Sequence, residues 1–283
     1  MKTSLRITGI AILIMLVPGR KTFPAEKYQV HPDQATNEFS WPEGKKMALS
    51  LTFDDARLSQ ADKGIPLFDK YGVTATFYIS PGAMMERLEI WQQAARNGHD
   101  IGNHSLYHPC SGNFPWARDR ALENYTVEKM RAELDSASSF IKEFLGIQPV
   151  SFAYPCGQTF VGRGGETKSY VPIVASLFET GRGWLGEAPN DPVFCDMARL
   201  TGMELDGKSF EEILPLIESA KDNGFWLILA GHETAEEGRQ TSYLTTIESI
   251  LRYAADPSNG IWIDNVSNIA AWVNQRRAPL PGR

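Results

Sequence analysis

The alternation of short apolar runs with longer amphipathic segments constrains the fold more than any other feature of this chain. Residues 47–53, 75–79, 151–154 and 225–229 have the length and composition of buried parallel strands. Residues 100–103 resemble the end of another strand. Parallel strands buried on both faces need helices to cover them, so the sequence predicts an α/β fold.

The segments between these runs carry clear helix signals. After Thr126, apolar residues recur at spacings of three and four as far as Gly146, so that Thr126 caps a helix and Gly146 ends it. A second helix begins at Ser209, with Glu212 at the spacing of a capping box, and a third covers about residues 243–255. With roughly seven strands expected, we predict a single-domain, distorted (β/α) barrel of about seven parallel strands.

Length and composition agree with one globular domain. The chain has 283 residues, of which 42% are apolar, and one α/β barrel routinely occupies about 250 residues. A net charge of −6 without any basic run argues against a nucleic-acid partner. We divide the sequence into a signal peptide or anchor (1–25), a lead-in segment (26–45), the barrel (46–275) and a C-terminal tail (276–283).

The N-terminus has the composition of a secretory signal. Lys2 and Arg6 precede an apolar stretch at residues 7–17, which Pro18 and Gly19 follow. The stretch is short for a bilayer span, although an uncleaved anchor stays open because no Ala-x-Ala cleavage site follows. We therefore expect a secreted, cell-envelope or periplasmic protein with no other membrane contact.

Two histidines and an aspartate offer a metal site. His104 and His108 are four residues apart, so in a helical turn both imidazoles would face one ion, and Asp55 could be the third ligand. Such a triad leaves positions open for water and substrate, as a catalytic site requires. A non-haem iron oxygenase shares this ligand set, but it would leave Asp54 and His232 without roles.

Two further residues have the chemistry for proton transfer. Asp54 ends an apolar run beside Asp55, where it can accept a proton from water, and His232 follows residues 225–229 at another strand end. An imidazole with a pKa near about 6.5 can protonate a leaving group. The alternatives are an acidic pair in a solvated turn and a structural histidine.

These residues resemble the motifs of the polysaccharide deacetylases with a NodB homology domain, carbohydrate esterase family 4, over residues 46–275. Thr52-Phe53-Asp54-Asp55 is similar to the first motif, His104-Ser105-x-x-His108 to the second, and His232 with Leu229 to the last. The resemblance implies that Asp54 is the catalytic base and His232 the catalytic acid. It also implies that Asp55, His104 and His108 bind the metal and that Leu229 lines an apolar pocket. The metal would be one divalent ion, zinc or another transition metal.

The third motif departs from the family pattern at residues 152–157. Ala153 or Tyr154 stands where the family has an arginine that contacts the base, and Cys156 replaces a tyrosine. The resemblance implies that the Cys156 backbone N–H stabilises the oxyanion, a role that does not depend on the side chain. Arg163, Arg182 and Arg199 are the candidates for the missing guanidinium, and Trp184, Asp191 and Asp196 are those for the fourth motif.

The first two cysteines fall in or beside these motifs. Cys110 follows the second motif and Cys156 lies in the third, so we hypothesise a disulfide between them, with two buried thiols as the alternative. Cys195 would be left over. Tyr107, Phe114 and Trp116 lie in or beside the loop after the histidines, where they would either stack on sugar rings or pack in the core.

Taken together, the motifs predict a metal-dependent hydrolase that removes N- or O-linked acetyl groups from an acetylated glycan or oligosaccharide. Two alternatives remain: a glycan-binding pseudoenzyme, motivated by the missing arginine, and a related C–N hydrolase of small amides. Residues 181–186 match a dinucleotide-binding pattern but cannot open a helix into the proline-rich segment that follows, so we reject a nucleotide site. No serine-esterase elbow occurs in the sequence.

Overall fold

The computed structural model describes residues 39–277, in which strands and helices alternate as predicted. The strands are β1 (Met47–Asp54), β2 (Thr76–Ile79), β3 (Asp100–Asn103), β4 (Ser151–Ala153), β5 (Phe160–Val161), β6 (Lys168–Ser169), β7 (Thr180–Arg182), β8 (Met203–Glu204), β9 (Trp226–Gly231), β10 (Glu233–Ala235), β11 (Thr241–Tyr243) and β12 (Ile261–Ile263). The helices are α1 (Ile65–Tyr71), α2 (Pro81–Met84), α3 (Leu88–Arg96), α4 (Val127–Leu145), α5 (Val171–Leu177), α6 (Phe210–Asn223), α7 (Leu244–Ala255) and α8 (Val266–Arg276). Short 3₁₀ turns and one π-helical turn, Gln60–Gly64, lie between them.

The main sheet has the strand order β7-β4-β3-β2-β1-β9-β8, and all of its pairs are parallel. β12 pairs with the first half of β1, beside β2. The two edges approach each other at Leu200, which donates to the Gly181 carbonyl and accepts from the Gly183 N–H, both at 2.8 Å. The prediction of a distorted (β/α) barrel with about seven parallel strands is therefore confirmed.

The helix signals read from the sequence are confirmed at atomic detail. Thr126 Oγ1 accepts a hydrogen bond from the Lys129 N–H at 3.2 Å, and Gly146 closes α4 with a φ of 72°. Ser209 and Glu212 form both bonds of the capping box at the start of α6. These caps satisfy backbone groups that a helix end leaves unpaired, which fixes where each helix begins and ends.

The core fills the space between the sheet and its helices. Phe53, Phe68 and Phe77 pack at ring distances of 5.6–6.2 Å in the largest cluster, which β1, β2 and β9 share with α1, α6 and α7. The packed part begins before the predicted boundary at residue 46, because Trp41 is buried and its indole N–H donates to the Gly224 carbonyl at 2.9 Å.

Three sequence predictions lie wholly or mostly outside the described residues: the signal peptide or anchor at residues 1–25, the lead-in segment at residues 26–45 and the C-terminal tail at residues 276–283. Among residues 39–277, no helix combines the length and apolar character that a membrane crossing requires.

Candidate active site

The carboxyl ends of the parallel strands gather the polar residues that the motifs singled out. In a parallel α/β barrel the functional groups lie on this face, since loops of independent sequence follow each strand there. The residues that end or follow strands are Asp54 and Asp55 after β1, His104 after β3, Cys156 after β4, Arg182 at the end of β7, Asp206 after β8 and His232 after β9.

Asp55, His104 and His108 come together as the predicted triad. Asp55 Oδ1 lies 3.5 Å from His104 Nε2 and 3.4 Å from His108 Nε2. Ligand atoms about 2.1 Å from a shared tetrahedral ion would stand roughly 3.4 Å apart, so the spacing fits one divalent metal. His104 Nδ1 lies 2.9 Å from the Ala153 carbonyl, an arrangement that assigns the proton to Nδ1 and leaves the Nε2 lone pair for the ion.

A loop, and not the predicted helical turn, brings the two histidines together. Ser105 and His108 have positive φ values of 62° and 51°, which no helix contains. Asn103 Oδ1 accepts from the Ser105 N–H at 2.7 Å, and Ser105 Oγ accepts from the His108 N–H at 3.0 Å. Buried Glu133 on α4 accepts from the Tyr107 N–H at 3.0 Å and anchors the same loop to the helix layer.

The surroundings favour the ligand form of these residues. Burial raises the pKa of Asp55, but His104, His108 and Arg57 outweigh it and hold the pKa below its usual value. Burial, with the neighbouring His104, lowers the pKa of His108 to about 4, so that its imidazole is neutral. Arg57 bonds Asp55 Oδ2 at 2.9 and 3.1 Å, which leaves Oδ1 directed to the histidines.

Arg182 supplies the guanidinium that the third motif lacks. Its Nη2 bonds Asp54 Oδ1, and both side chains are buried. Of the other two candidates, Arg163 bonds Asn124 Oδ1 at 2.7 Å away from the base, and Arg199 is exposed. Arg182 lies inside the glycine-rich segment that resembled a nucleotide motif, where a Cβ at Gly181 would stand only 2.6 Å from the Ala198 carbonyl oxygen.

Two glycines and a tyrosine make room for this arginine. The Arg182 guanidinium lies 4.9 Å from the centre of the Tyr78 ring, a cation–π contact. A Cβ at Gly202 would stand 2.5 Å from Arg182 Cδ, and one at Gly102 would stand 2.7 Å from Tyr78 Cε1. Asp54 is ionised in this setting: burial raises its pKa, but Arg182, His104 and His232 together lower the pKa below its usual value.

His232 is held by Asp206, which the sequence did not identify. His232 Nδ1 lies 2.7 Å from Asp206 Oδ2, and the His232 N–H donates to Oδ1 at 3.0 Å. Ser242 Oγ donates to the same oxygen at 2.7 Å, and a Cβ at Gly231 would stand 2.6 Å from it. The segment before it, Met203-Glu204-Leu205, is short and contains a charged residue, so nothing in the sequence marked Asp206 as a strand-end residue.

The remaining fourth-motif candidates divide. Trp184 packs edge-on against His232 at a ring distance of 4.9 Å, whereas Asp191 and Asp196 each accept a backbone N–H bond within the loop before β8. Burial lowers the pKa of His232, but Asp206, Asp54 and Asp55 outweigh it and raise the pKa above its usual value. Gln60 also connects the ends of β1 and β9, since its Nε2 donates to the carbonyls of both Asp54 (2.6 Å) and His232 (2.8 Å).

The hypothesised disulfide between Cys110 and Cys156 is present. The two sulfurs lie near His108, but a disulfide offers no thiolate, so the Asp55 triad is the metal group that fits among the described residues. Cys195 is the free cysteine of the described chain, and burial raises the pKa of its thiol to about 11.

The aromatic residues after the histidines are exposed, which excludes the core-packing alternative. Tyr107 and Trp116 are each 55% exposed, and Phe114 is 41% exposed. Trp116 lies 5.8 Å from the His108 ring. A cavity of about 200 Å³ lies between Gly157 and Trp184, and neither His104 nor His108 lines it. Leu229 differs from its expected role, because its side chain is fully buried in the main core.

A family model for polysaccharide deacetylase matches residues 42–162. The uncharacterized protein YlxY of Bacillus subtilis (strain 168) is 28% identical over 96 residues, which cover 34% of this chain and 27% of that protein. The peptidoglycan-N-acetylmuramic acid deacetylase PdaA of the same strain is 26% identical over 112 residues, or 39% of this chain and 38% of PdaA. The chain therefore spans well under half the length of these curated relatives.

A solved structure from Mycobacterium smegmatis, assigned as a polysaccharide deacetylase, superposes with a TM-score of 0.62. The match covers 85% of this chain and 95% of that one at 16% sequence identity, which shows a shared fold.

Proposed function

We propose that the chain is a metal-dependent hydrolase that removes acetyl groups from a carbohydrate, and the polysaccharide deacetylase model that matches residues 42–162 supports this proposal. The observation that carries the proposal is the convergence, on one face of the barrel, of a metal triad, a carboxylate paired with arginine and a histidine paired with aspartate. Each element has a separate part in hydrolysing an acetyl group.

The metal part consists of Asp55, His104 and His108. Two imidazoles and a carboxylate suit zinc best among common divalent ions, and they leave ligand positions free. When bound, the ion supplies a Lewis acid that polarises the acetyl carbonyl and lowers the pKa of water. The chain's own contribution is to fix the three ligand atoms before binding, through Ala153, Arg57 and the loop at Ser105.

Asp54 is the proposed general base. Its ion pair with Arg182 keeps it ionised and fixes its direction, so it can accept the proton of the attacking water. The pKa of Asp54 is low for a general base, because Arg182 stabilises the ionised form. Arg182 therefore makes Asp54 a weaker base but keeps its carboxylate ionised and oriented.

The other two groups serve the oxyanion and the leaving group. The Cys156 N–H would donate to the oxyanion of the tetrahedral intermediate. His232 would protonate the departing amine or alcohol through Nε2, since Nδ1 is engaged by Asp206. A raised pKa keeps this imidazole protonated to higher pH, as a general acid requires.

The substrate that these features support is an acetylated glycan. Exposed Trp116 and Phe114 lie 5.5 Å apart beside His108 and offer rings for stacking on sugars. The relative PdaA is named for a peptidoglycan substrate, which makes a cell-wall glycan the first to test. We also propose export, on the basis of the apolar stretch at residues 7–17 and the disulfide.

Arg182 weakens the case for a pseudoenzyme, because the missing arginine was its motivation. An iron oxygenase would need neither Asp54 nor His232 for proton transfer. The pairing of Asp54 with Arg182 and of His232 with Asp206 therefore favours a hydrolase, in which both residues have roles.

The test is acetate release from peptidoglycan, chitin oligosaccharides, acetylated xylan and an aryl acetate by zinc-loaded protein. Asp54→Asn keeps the shape of the side chain but cannot accept the proton, so we expect kcat to fall by about 10²–10⁴-fold. Glu236→Gln is the matched control, because Glu236 is an exposed carboxylate that pairs with Lys63 and has no proposed part in catalysis. This variant should behave as the native chain. Equal rates for native protein and Asp54→Asn, or no acetate from any substrate, would overturn the proposal.

A further inference from the structure

The disulfide joins two loops of the site that contain residues with positive φ, His108 in one and Cys156 in the other. Cys110 follows the metal residue His108 by two positions, and Cys156 is itself the proposed oxyanion donor. The bond therefore connects the metal loop to the oxyanion loop across 46 residues of sequence. A second link runs parallel to it, because the Ser111 N–H donates to Gln158 Oε1 at 2.7 Å.

Cys110 is the fixed end of this connection. Its side chain is fully buried, and its carbonyl accepts from the Leu122 N–H at 3.0 Å. The Leu122 carbonyl in turn accepts from the Gly162 N–H at 2.9 Å, and Leu122 is buried in a second core cluster. The position of Cys110 is thus set by packing that does not depend on Cys156.

Cys156 is the end of the disulfide with the unfavourable backbone conformation. Its backbone has φ 54° and ψ 17°, a left-handed conformation that residues with a Cβ rarely adopt. It stands between Pro155 and Gly157, and a Cβ at Gly157 would lie only 2.9 Å from the Trp184 backbone nitrogen. The loop is therefore packed tightly against Trp184, which contacts His232. A small rotation at Cys156 would redirect its N–H.

The same disulfide also contacts a metal residue. Cys110 Sγ lies 3.6 Å from His108 Nδ1, on the side of the ring opposite the nitrogen that faces Asp55. One covalent bond thus touches both the group that binds the metal and the group that faces the oxyanion.

We propose that the Cys110–Cys156 disulfide positions the Cys156 N–H for catalysis, with Cys110 as a positioning residue. The inference rests on the proposed deacetylase function. Cleavage by a water-soluble phosphine breaks the S–S bond, yields two thiols and converts phosphine and one water into phosphine oxide. The freed Cys156 backbone relaxes from its left-handed conformation, and the oxyanion loses its donor. Activity then depends on disulfide formation, which an oxidising compartment provides.

The experiment measures kcat and KM for 4-nitrophenyl acetate, whose leaving group needs no protonation and so isolates this step from His232. Native protein is compared, before and after phosphine, with Cys110→Ala, the double variant Cys110→Ala/Cys156→Ala and the control Cys195→Ala. We expect about a tenfold loss of kcat on reduction with KM within about twofold, part of the 10²–10³-fold cost of removing such a donor altogether. The double variant should match reduced protein and ignore phosphine, and Cys195→Ala should behave as native.

Metal content and melting temperature are measured on the same samples, and hydrogen exchange is followed on peptides covering residues 154–158. Faster exchange confined to that loop, at unchanged metal content, supports positioning. Native kcat in the double variant overturns the inference, as does a loss of kcat that simply follows lost metal or a lowered melting temperature. If native protein releases no acetate from any substrate, the proposed function fails, and unchanged exchange in Cys110→Ala would separately refute the positioning.

Discussion

The site has a proposed metal half, Asp55, His104 and His108, and a proposed proton-transfer half, Asp54 and His232. The loops of the metal half contain hydrogen bonds between near neighbours, whereas Asp54 and His232 are each held by a side chain from another strand end. Asp55, His104 and His108 are shaped by two loops, and the bonds from Asn103 and Ser105 that orient them are local. In contrast, Asp54 meets Arg182 across 128 residues, and His232 meets Asp206 across 26. The contact between Asp54 and Arg182 joins the ends of β1 and β7, which are not neighbours in the sheet.

The two halves also differ in charge. The metal half holds one carboxylate and two imidazoles, and burial leaves His108 neutral. The proton-transfer half holds a fully buried ion pair and a half-buried histidine beside a carboxylate. Because removing one partner of a buried pair leaves a charge without compensation, we expect mutations there to affect folding and catalysis together. Mutations in the metal half should affect metal affinity first.

Arg182→Met is expected to have the largest effect. It leaves Asp54 buried without its cation, so we expect a loss of about 3–5 kcal/mol in the free energy of unfolding at neutral pH. Without the guanidinium, the pKa of Asp54 rises, and protonation at low pH relieves the penalty, so the deficit should shrink as pH falls. We expect kcat to drop by at least about 100-fold. Denaturant unfolding from pH 4 to 8 and acetate release measure both.

Arg163→Met is the matched control, because Arg163 is exposed and bonds only the region of Asn124. A second check is Asp54→Asn/Arg182→Met, which removes the unpaired carboxylate and should be more stable than Arg182→Met alone. If Arg182→Met is no less stable than Arg163→Met, the pair does not stabilise the fold as the contrast requires.

His104→Asn tests the other half. The variant removes Nε2 from the triad, and we expect metal affinity to fall by at least about 100-fold, with a much smaller change in the stability of metal-free protein. Competition with a chromophoric chelator gives the affinity. His99→Asn is the control, since His99 is also buried but bonds Asp69 and the Ala75 N–H away from the triad. Equal metal affinities for the two variants would show that the triad is not the metal site.

The same contrast explains how far sequence reasoning reached. Strands and helices with strong periodicity or caps were placed within a few residues, because those signals are local: the predicted strand at 47–53 is Met47–Asp54, and the caps at Thr126 and Ser209 hold. Asp55, His104 and His108 could be proposed together from the sequence because each lies in a short contiguous motif. Even so, the predicted helical turn was wrong, since a side-chain spacing of four does not reveal positive φ at Ser105 and His108.

Partners on other strands could not be read in this way. Arg182 was one of three equal candidates, and its choice depends on β7 lying beside β4 and on the room that Gly202 leaves. Asp206 was missed because β8 has only two residues, Met203–Glu204, too few to show periodicity. A residue two positions beyond such a strand gives no signal of its own until the sheet order is known.

Asp206→Asn should give the smallest loss of rate but the most informative pH profile. Asp206 helps to raise the pKa of His232, so without its charge the pKa should fall back towards about 6.5. A general acid works while protonated, and the alkaline limb of kcat should therefore move to lower pH, with about a tenfold loss near pH 8 and less in acid. Titration of the His232 ring by NMR checks the pKa directly.

Linkage gives the same variant a second readout. A histidine whose pKa is raised on folding stabilises the native state below its unfolded pKa, near about 6.5, and this contribution is lost as pH rises through the folded value. The stability gap between native protein and Asp206→Asn should thus be wider at pH 6 than at pH 9. Asp69→Asn alters another histidine–aspartate pair, at His99, and should leave the acetate-release profile unmoved. If the alkaline limb of the kcat profile lies at the same pH in native protein and in Asp206→Asn, His232 is not the general acid that protonates the leaving group.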